Sequence, residues 1–349
     1  MVILYDNFTK YLEKVTERKD LTFDEAVDSF DLITAGNIND IRIGAFLSAL
    51  KTKGETSTEV AAFVTALRRK ANNINPHVRG RLTDTAGTGH ALLKTINIST
   101  ISAIVAAGSG VPIVKHGNRG ITSVCGSADL IEALGANISL TPDQVNQVIE
   151  KIGFGFLFAP IFHPAFKYAL LPRKELRIAT VFNILGPLTN PAGAKAQIIG
   201  VYSEDLVGLV ADSLRKLGTE KALVVYGEGG LDELSTIGKT TVAEINGDKI
   251  ENYQIEPKDF GLEVARPESI EGKNPAESAV IARNILSGKE GPELDVVLLN
   301  AAGAIYVAGA SSSIADGIKI ASESITSGKA LDKLEKFIEM TNEFTYKKD

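Results

Sequence analysis

The stretch LTDTAGTGHALLKTINISTISAIVAAG, residues 82–108, marks the change from a helical first part of the chain to strand–loop–helix units. LTDT is strand-like, TAGTG is a glycine loop, and NIST opens the helical run ISAIVAAG. The glycines can expose backbone N–H groups, and Ser99 and Thr100 place hydroxyls near a helix N-terminus, which suits an anion. Short glycine loops also serve as simple turns, so this stretch alone leaves a phosphate site and a structural turn equally open.

Downstream of this stretch, short apolar runs alternate with helical segments. The runs typical of buried strands are VPIVKHG, FGFLFA, AQIIGVY, KALVVYG and DVVLLNAAGAIYVAG; the helical segments are SADLIEALG, TPDQVNQVIEKI and EDLVGLVADSLRKLG. This alternation predicts an α/β fold with a mostly parallel central sheet flanked by helices. Asn246-Gly247 lies between two strand-like runs and predicts a hairpin, and Gly328 separates two predicted C-terminal helices.

Upstream, the first seventy residues are typical of helices. Thr22 with Glu25 and Thr56 with Glu59 match capping boxes before apolar-periodic runs, and Gly54 is a predicted helix stop. The polar segment ANNINPHVRGR is then typical of a linker. We therefore expect an all-α domain over residues 1–72 and an α/β domain over residues 78–349.

Composition limits the function classes. The chain has 349 residues and a net charge of −6, which argues against a dedicated nucleic-acid binder. A single cysteine, Cys125, excludes an internal disulfide and predicts a cytoplasmic protein. The N-terminal residues predict neither a signal peptide nor a membrane span, because the short apolar patch meets Asp6 at once.

Three segments carry residues suited to chemistry. KHGNRGITSVCGSADLIEALG, residues 115–135, combines a lysine, a histidine, an amide and several hydroxyls with three glycines interleaved before Ser127, and favours a binding site over a solvated loop. Arg173 can hold a planar carboxylate through two hydrogen bonds, whereas Lys174 and Arg177 are interpreted as surface charges. Asp232 and Glu233 are adjacent acids in a glycine loop, a pattern suited to Mg²⁺ bound together with phosphate, although a solvated turn is the alternative.

These segments together resemble the anthranilate phosphoribosyltransferase family of tryptophan biosynthesis. GTGHALLKTINIST resembles the family pattern GTGGD-x-x-x-T-x-N-[IV]-S-T, and residues 115–135 match KHGNR-x-x-[ST]-S-x-x-GSAD-x-x-EALG almost throughout. RKELRIATVFNILGPLTNP resembles the family pattern R-x-x-L-x-x-R-T-x-FN-x-LGPL-x-NP, with small register shifts and an alanine for an arginine. The acidic glycine loop and the NAA-x-x-x-YVAG segment follow in the family's order.

The resemblance implies the fold of class II nucleoside phosphorylases and related phosphoribosyltransferases. It implies a helical domain with a contribution from about residues 160–185, and a homodimer formed through that domain. The implied reaction joins anthranilate to the ribosyl C1 of phosphoribosyl pyrophosphate (PRPP) and releases pyrophosphate. The implied cofactor is Mg²⁺, and neither nucleic acid nor membrane is an expected partner.

The same resemblance implies three sets of site residues. The PRPP set is Gly87, Thr88, Gly89, Thr95, Asn97, Ile98, Ser99, Thr100, Lys115, His116, Gly117, Asn118, Ser123 and Ser127. The anthranilate set is Gly87, His116, Asn118, Arg173 and Gly186, and the Mg²⁺ set is Ser99, Asp232 and Glu233. No residue is assigned as catalytic, because an aromatic amine is a neutral nucleophile that needs positioning more than activation. His116 is the candidate to orient the amine or to accept its proton later.

Two alternatives stay open at this level. A nucleoside phosphorylase of the same fold would not need an arginine opposite a carboxylate. A catalytically silent relative that binds nucleic acid or a protein partner is suggested only by His90 and Ala91, which stand where the family has glycine and aspartate.

These two departures generate a prediction about PRPP and Mg²⁺. An imidazole restricts the backbone and the missing carboxylate removes a contact, so PRPP and metal handling should be weakened or altered while activity remains. The double variant His90→Gly/Ala91→Asp should therefore change the KM for PRPP and the Mg²⁺ dependence in steady-state kinetics. Identical values in the variant and the original chain would contradict this prediction.

Overall fold

The computed structural model describes residues 6–91, 93–120 and 124–346. Its first part consists of four helices: α1 (Asn7–Thr16), α2 (Phe23–Thr34), α3 (Asp40–Lys53) and α4 (Ser57–Lys70). Both predicted capping boxes are confirmed, at the starts of α2 and α4, and Gly54 ends α3 with a positive φ of 87°. Residues 71–81, the predicted linker, form no helix or strand.

A seven-stranded sheet follows in the described chain. Its strands are β1 (Thr83–Gly87), β2 (Ile113–Gly117), β3 (Phe154–Phe158), β4 (Ala196–Gly200), β5 (Lys221–Gly227), β6 (Thr240–Asn246) and β7 (Lys249–Ile255), in the order β3-β2-β1-β4-β5-β6-β7. The first five pair in parallel, and β6 and β7 form an antiparallel hairpin at one edge. The predicted mostly parallel sheet and the hairpin are thus confirmed, with Gly247 and Asp248 as the two residues between the paired ends of the hairpin strands.

The other helices lie between and after the strands. They are α5 (Ile98–Gly108), α6 (Ser127–Ala133), α7 (Pro142–Ile152), α8 (Ala159–Phe162), α9 (Leu170–Leu176), α10 (Val181–Leu188), α11 (Leu206–Lys216), α12 (Pro275–Leu286), α13 (Pro292–Ala308), α14 (Ile314–Thr326) and α15 (Lys329–Tyr346). Short 3₁₀ turns occupy Pro164–Ala169, Pro257–Phe260 and Pro267–Ile270. None of the helices in the described residues has the length and apolar character needed to cross a bilayer.

One predicted strand is wrong. DVVLLNAAGAIYVAG lies in α13, a 17-residue helix that Gly309 ends with a left-handed φ of 81°. The helix is buried on almost every side, against α5, α14 and the sheet, so its sequence is apolar throughout. A continuous apolar run fits a buried strand and a buried helix equally well by periodicity, and only its length favours a helix.

The sheet has a separate hydrophobic core on each face, because successive strand residues point in opposite directions. In β5, Leu223 and Val225 join a core with α5 to α7 and α12 to α15, whereas Ala222 and Val224 join a core with α1 to α4, α10 and α11. The segment from α9 to α10 packs against the N-terminal helices. The domain limits and the contribution of about residues 160–185 stay predictions.

Candidate active site

Four of the five parallel strands end on glycine, and these ends form the floor of the site. The glycines are Gly87, Gly117, Gly200 and Gly227. A Cβ at Gly200 would lie 1.6 Å from the Asp232 carbonyl oxygen, and a Cβ at Gly87 would lie 2.3 Å from Asp232 Oδ2. The loop after β5 therefore crosses the strand ends at a distance that only glycine allows.

The two acids of this loop contact the loop and helix that follow β1. The N–H of Gly89 donates to Asp232 Oδ2 at 2.9 Å, and the N–H of Ser99 donates to Glu233 Oε1 at 3.2 Å. Burial raises the pKa of both carboxyls, and the neighbouring Asp232 charge contributes to raising the pKa of Glu233 to about 8. Two adjacent half-buried carboxylates disfavour each other's ionised form unless a cation lies near them.

A buried polar network lies beneath Lys115. Asp84, fully buried in β1, accepts hydrogen bonds from Asn190 Nδ2 at 2.7 Å and from the N–H of His116 at 3.2 Å. Burial lowers the pKa of Lys115, and the charges of Asp84, Glu233 and Asp232 oppose that effect. Neither Asp84 nor Asn190 was predicted, although a carboxylate in a buried strand is a signal in itself.

A cavity of about 240 Å³ opens over these groups and over the start of α5. It brings together most of the predicted PRPP and metal residues: Gly87, Gly89, Thr95, Asn97, Ile98, Ser99, Thr100, Lys115, His116, Gly117, Asn118, Ser127, Asp232 and Glu233. The Ile98 side chain is buried. Thr88 lines the neighbouring cavity, where its hydroxyl accepts the N–H of Tyr202 at 3.0 Å. Ser123 lies outside the described residues.

The start of α5 suits an anion. Asn97, its N-cap, donates from Nδ2 to the Cys125 carbonyl at 3.0 Å, which ties the loop before α6 to the same edge. The Thr100 hydroxyl is buried and has no hydrogen-bond partner within the described residues. The positive end of the helix dipole and an unpaired hydroxyl together form a receptive site for phosphate.

A second cavity, of about 540 Å³, adjoins the first at the ends of β1 and β2. Arg173 lies in its wall with the guanidinium carbon 5.2 Å from the centre of the Phe182 ring. Burial lowers the pKa of Arg173, and no carboxylate of the described chain compensates its charge. Predicted residues His116, Asn118 and Gly186 also line this cavity. A planar aromatic acid fits a wall that combines a stacked arginine with aromatic rings.

Two buried imidazoles lie in the wall of this second cavity. The rings of His116 and His163 are 5.0 Å apart, and burial lowers the pKa of both, for His163 to about 4. The His116 ring hydrogen-bonds the backbone of Gly186, while its Nε2 has no partner in the described residues. His163, which precedes a proline in a short apolar segment, was not predicted.

His90 lies where the two cavities meet and lines both of them. Its backbone is left-handed, with φ of 63°, and follows Gly89 with φ of 66°. Its Nδ1 lies 3.0 Å from Asn183 Nδ2 on α10. Burial and the cations Lys94 and Arg173 lower the pKa of His90, and the Asp232 charge opposes them.

The chain can be compared with known proteins. Residues 79–331 match the family model "Glycosyl transferase family, a/b domain", and residues 9–71 match "Glycosyl transferase family, helical bundle domain". The chain is 50% identical over 327 residues to the anthranilate phosphoribosyltransferase of Methanocorpusculum labreanum, covering 94% of this chain and 96% of that one. The chain belongs to the anthranilate phosphoribosyltransferase family.

Solved structures agree with this family assignment. The crystal structure of anthranilate phosphoribosyltransferase from Thermus thermophilus matches with a TM-score of 0.91 and 40% identity, covering 95% of this chain and 99% of that one. The Saccharomyces cerevisiae enzyme in complex with PRPP and Mg matches with a TM-score of 0.88 and 31% identity, covering 96% and 98%. The resemblance inferred from the sequence blocks is therefore confirmed, as is the fold class.

The close approach at the strand ends yields a prediction. Gly200→Ala should push the Asp232 backbone away and lower kcat/KM for phosphoribosyl transfer by about 100-fold, since misplacing a site by about 1 Å costs that much. Gly208→Ala is the matched control, because a Cβ at Gly208 on α11 meets nothing within 4 Å. Equal activity of the two folded variants would show that the approach at Gly200 has no role in the site.

Proposed function

We propose that this chain transfers the phosphoribosyl group of PRPP to the amino group of anthranilate, in the tryptophan pathway, and releases pyrophosphate. The observation that carries the proposal is the pair of adjoining cavities, one suited to phosphate and one holding an uncompensated arginine among aromatic rings. The substrates of a nucleoside phosphorylase, a nucleoside and phosphate, carry no carboxylate that Arg173 could bind. A nucleic-acid-binding relative is disfavoured by the net charge of −6.

In the phosphate cavity, Lys115 and the start of α5 would stabilise departing pyrophosphate. Negative charge develops on the leaving group as the bond to ribosyl C1 breaks, and fixed donors in a dry site stabilise that charge strongly. Phosphate oxygens also favour the ammonium form of Lys115, whose pKa burial lowers. The proposed PRPP contacts are the predicted residues that line this cavity.

The carboxylate pair fits a magnesium ion. Asp232 and Glu233 present hard oxygen donors whose pKa values burial raises, with the Asp232 charge adding to the effect at Glu233, and a divalent cation favours their ionised form. No cluster of three histidine, cysteine or acidic side chains suited to a metal occurs in the described residues, so PRPP oxygens and water would complete the coordination. The Ser99 hydroxyl is the third proposed ligand, and Mg²⁺ would supply charge neutralisation at pyrophosphate.

In the second cavity, the task of the protein is to position anthranilate. Arg173 would clamp the carboxylate through two parallel hydrogen bonds, and Phe182 holds the guanidinium plane. His116 lines the same cavity, where burial lowers its pKa and keeps the imidazole neutral. Asn118 and Gly186 complete the proposed acceptor wall. Holding the amine towards the neighbouring cavity replaces the need for a strong base before the C–N bond forms.

A fluorescence assay tests the proposed function. Anthranilate fluorescence should fall when the protein, Mg²⁺ and PRPP are mixed with anthranilate, and should stay constant when the metal is chelated. Nucleosides with inorganic phosphate should release no free base. Release of base without loss of anthranilate fluorescence would instead assign the chain to the phosphorylases, and a salt-dependent DNA shift would favour the binding-protein alternative.

Substitution of Arg173 tests its proposed contact with the anthranilate carboxylate. Arg173→Met should raise the KM for anthranilate by about 10- to 100-fold, the value of a charged hydrogen-bonded contact. The KM for PRPP should change little. Lys174→Met is the matched control, since this neighbouring cation on α9 is exposed. Equal effects of the two variants on anthranilate KM would contradict the assignment of Arg173.

The proposal includes a homodimer formed through the helical part of the chain. Large apolar side chains are exposed there on α3, on α9 and just after it, with Ile41 at 84%, Leu171 at 52% and Ile178 at 51% exposure. Exposed apolar side chains on packed helices favour an interface. Sedimentation as a monomer at micromolar concentration would contradict the dimer. The cytoplasmic location stays a prediction from the single cysteine.

A further inference from the structure

One contact links the two substrate cavities directly, and the following inference rests on the proposed function. His90 belongs to the loop after β1, which forms part of the phosphate cavity, while Asn183 belongs to α10 in the acceptor wall. Their side chains meet with His90 Nδ1 at 3.0 Å from Asn183 Nδ2. His90 lines both cavities, whereas Asn183 lines the acceptor cavity.

The orientation of the Asn183 amide is fixed independently of His90. Its Oδ1 accepts the N–H of Thr180 at 3.0 Å as part of the cap at the start of α10. The amide nitrogen must therefore be the atom that faces the imidazole, and an amide nitrogen only donates. Asn183 Nδ2 lies 3.0 Å from His90 Nδ1 and 3.4 Å from Nε2, so the imidazole accepts through an unprotonated nitrogen and the ring is neutral.

The backbone of the loop shows why such a contact matters. A left-handed φ is unfavourable for histidine, and two successive left-handed residues persist only when the surroundings hold them. Two hydrogen bonds from outside hold this turn. Asp232 Oδ2 accepts from the N–H of Gly89 at 2.9 Å, and Asn183 donates to His90.

The second hydrogen bond leaves His90 one donor. The ring makes no other hydrogen bond to the described residues, and Lys94, Arg173 and Asp232 all influence it electrostatically. An anionic oxygen of PRPP is the acceptor class that this junction admits. The imidazole thus offers a donor where the family pattern has a glycine.

We propose that His90 and Asn183 form a positioning pair, through which the acceptor helix α10 holds the phosphate-binding loop in the conformation that receives PRPP. Asn183 lines the acceptor cavity, yet its side chain acts on PRPP through His90. The pair also fixes the distance between the bound phosphoribosyl group and the acceptor. Loss of either member weakens PRPP binding more than anthranilate binding.

A double-mutant cycle tests the pair, with PRPP affinity measured by titration calorimetry in Mg²⁺ and KM values measured by anthranilate fluorescence. In the original chain, Asn183→Ala should weaken PRPP binding about three- to tenfold, the value of one neutral hydrogen bond. In the His90→Gly background the same substitution should change PRPP binding less than about twofold. Loss of the α10 cap occurs in both backgrounds and cancels in the cycle.

A conservative variant separates positioning from bulk packing. His90→Asn keeps a side chain tolerant of left-handed backbone and places an acceptor oxygen near the position of Nδ1, so it should retain PRPP affinity within about twofold. Equal effects of Asn183→Ala in both backgrounds, or a His90→Asn variant as weak as His90→Gly, would overturn the pair. Failure of the original chain to consume anthranilate with PRPP would instead overturn the proposed function.

Discussion

The site depends on the absence of a side chain at Gly200. The carbonyl oxygen of Asp232 occupies the place where any other residue would carry its Cβ. This approach lowers the acidic loop onto the ends of β1 and β4, where its carboxylates accept N–H groups from Gly89 and Ser99. Three loops that are distant in sequence thereby share one small cavity. Glycine at a strand end is thus as important to this chemistry as the charged groups themselves.

The two substrate cavities draw their rigidity from different hydrophobic cores. The phosphate cavity is carried by α5, whose Ile98 and Ile101 join the core on one face of the sheet. The acceptor wall is carried by α10, whose Phe182 and Leu185 join the core shared with the N-terminal helices. The groups proposed to bind PRPP and those proposed to bind the acceptor are therefore anchored in different cores. Contacts between the walls decide how the two substrates meet.

Local chemistry made most of the fold predictable. The capping boxes, the Asn-Gly hairpin and the strand–helix alternation each have a short-range cause, and each is present in the structure. The α13 segment was misassigned because a helix buried on all sides has no apolar stripe. The glycine loops and the KHGNR block indicated the candidate site because each is a short, continuous stretch of sequence.

Long-range contacts could not be predicted in this way. Asp84 and Asn190 are 106 positions apart, and neither residue type alone indicates a partner. His163 lines the cavity because the chain after β3 returns to the sheet end and brings Phe166 against Phe182 of α10. The role of His90 depends on Asn183, 93 positions away, whose orientation is set by a helix cap. Such roles are properties of packing and have no signature at fixed spacing.

One short helix contributes contacts to both imidazoles of the cleft. Across its eight residues, α10 places the Gly186 backbone beside the His116 ring and the Asn183 amide beside the His90 ring. These contacts influence which protonated form of each ring is stable. Relatives that keep both histidines but alter this helix would carry a different pattern of donors and acceptors. The protonation of the two imidazoles thus depends in part on helix residues that do not themselves titrate.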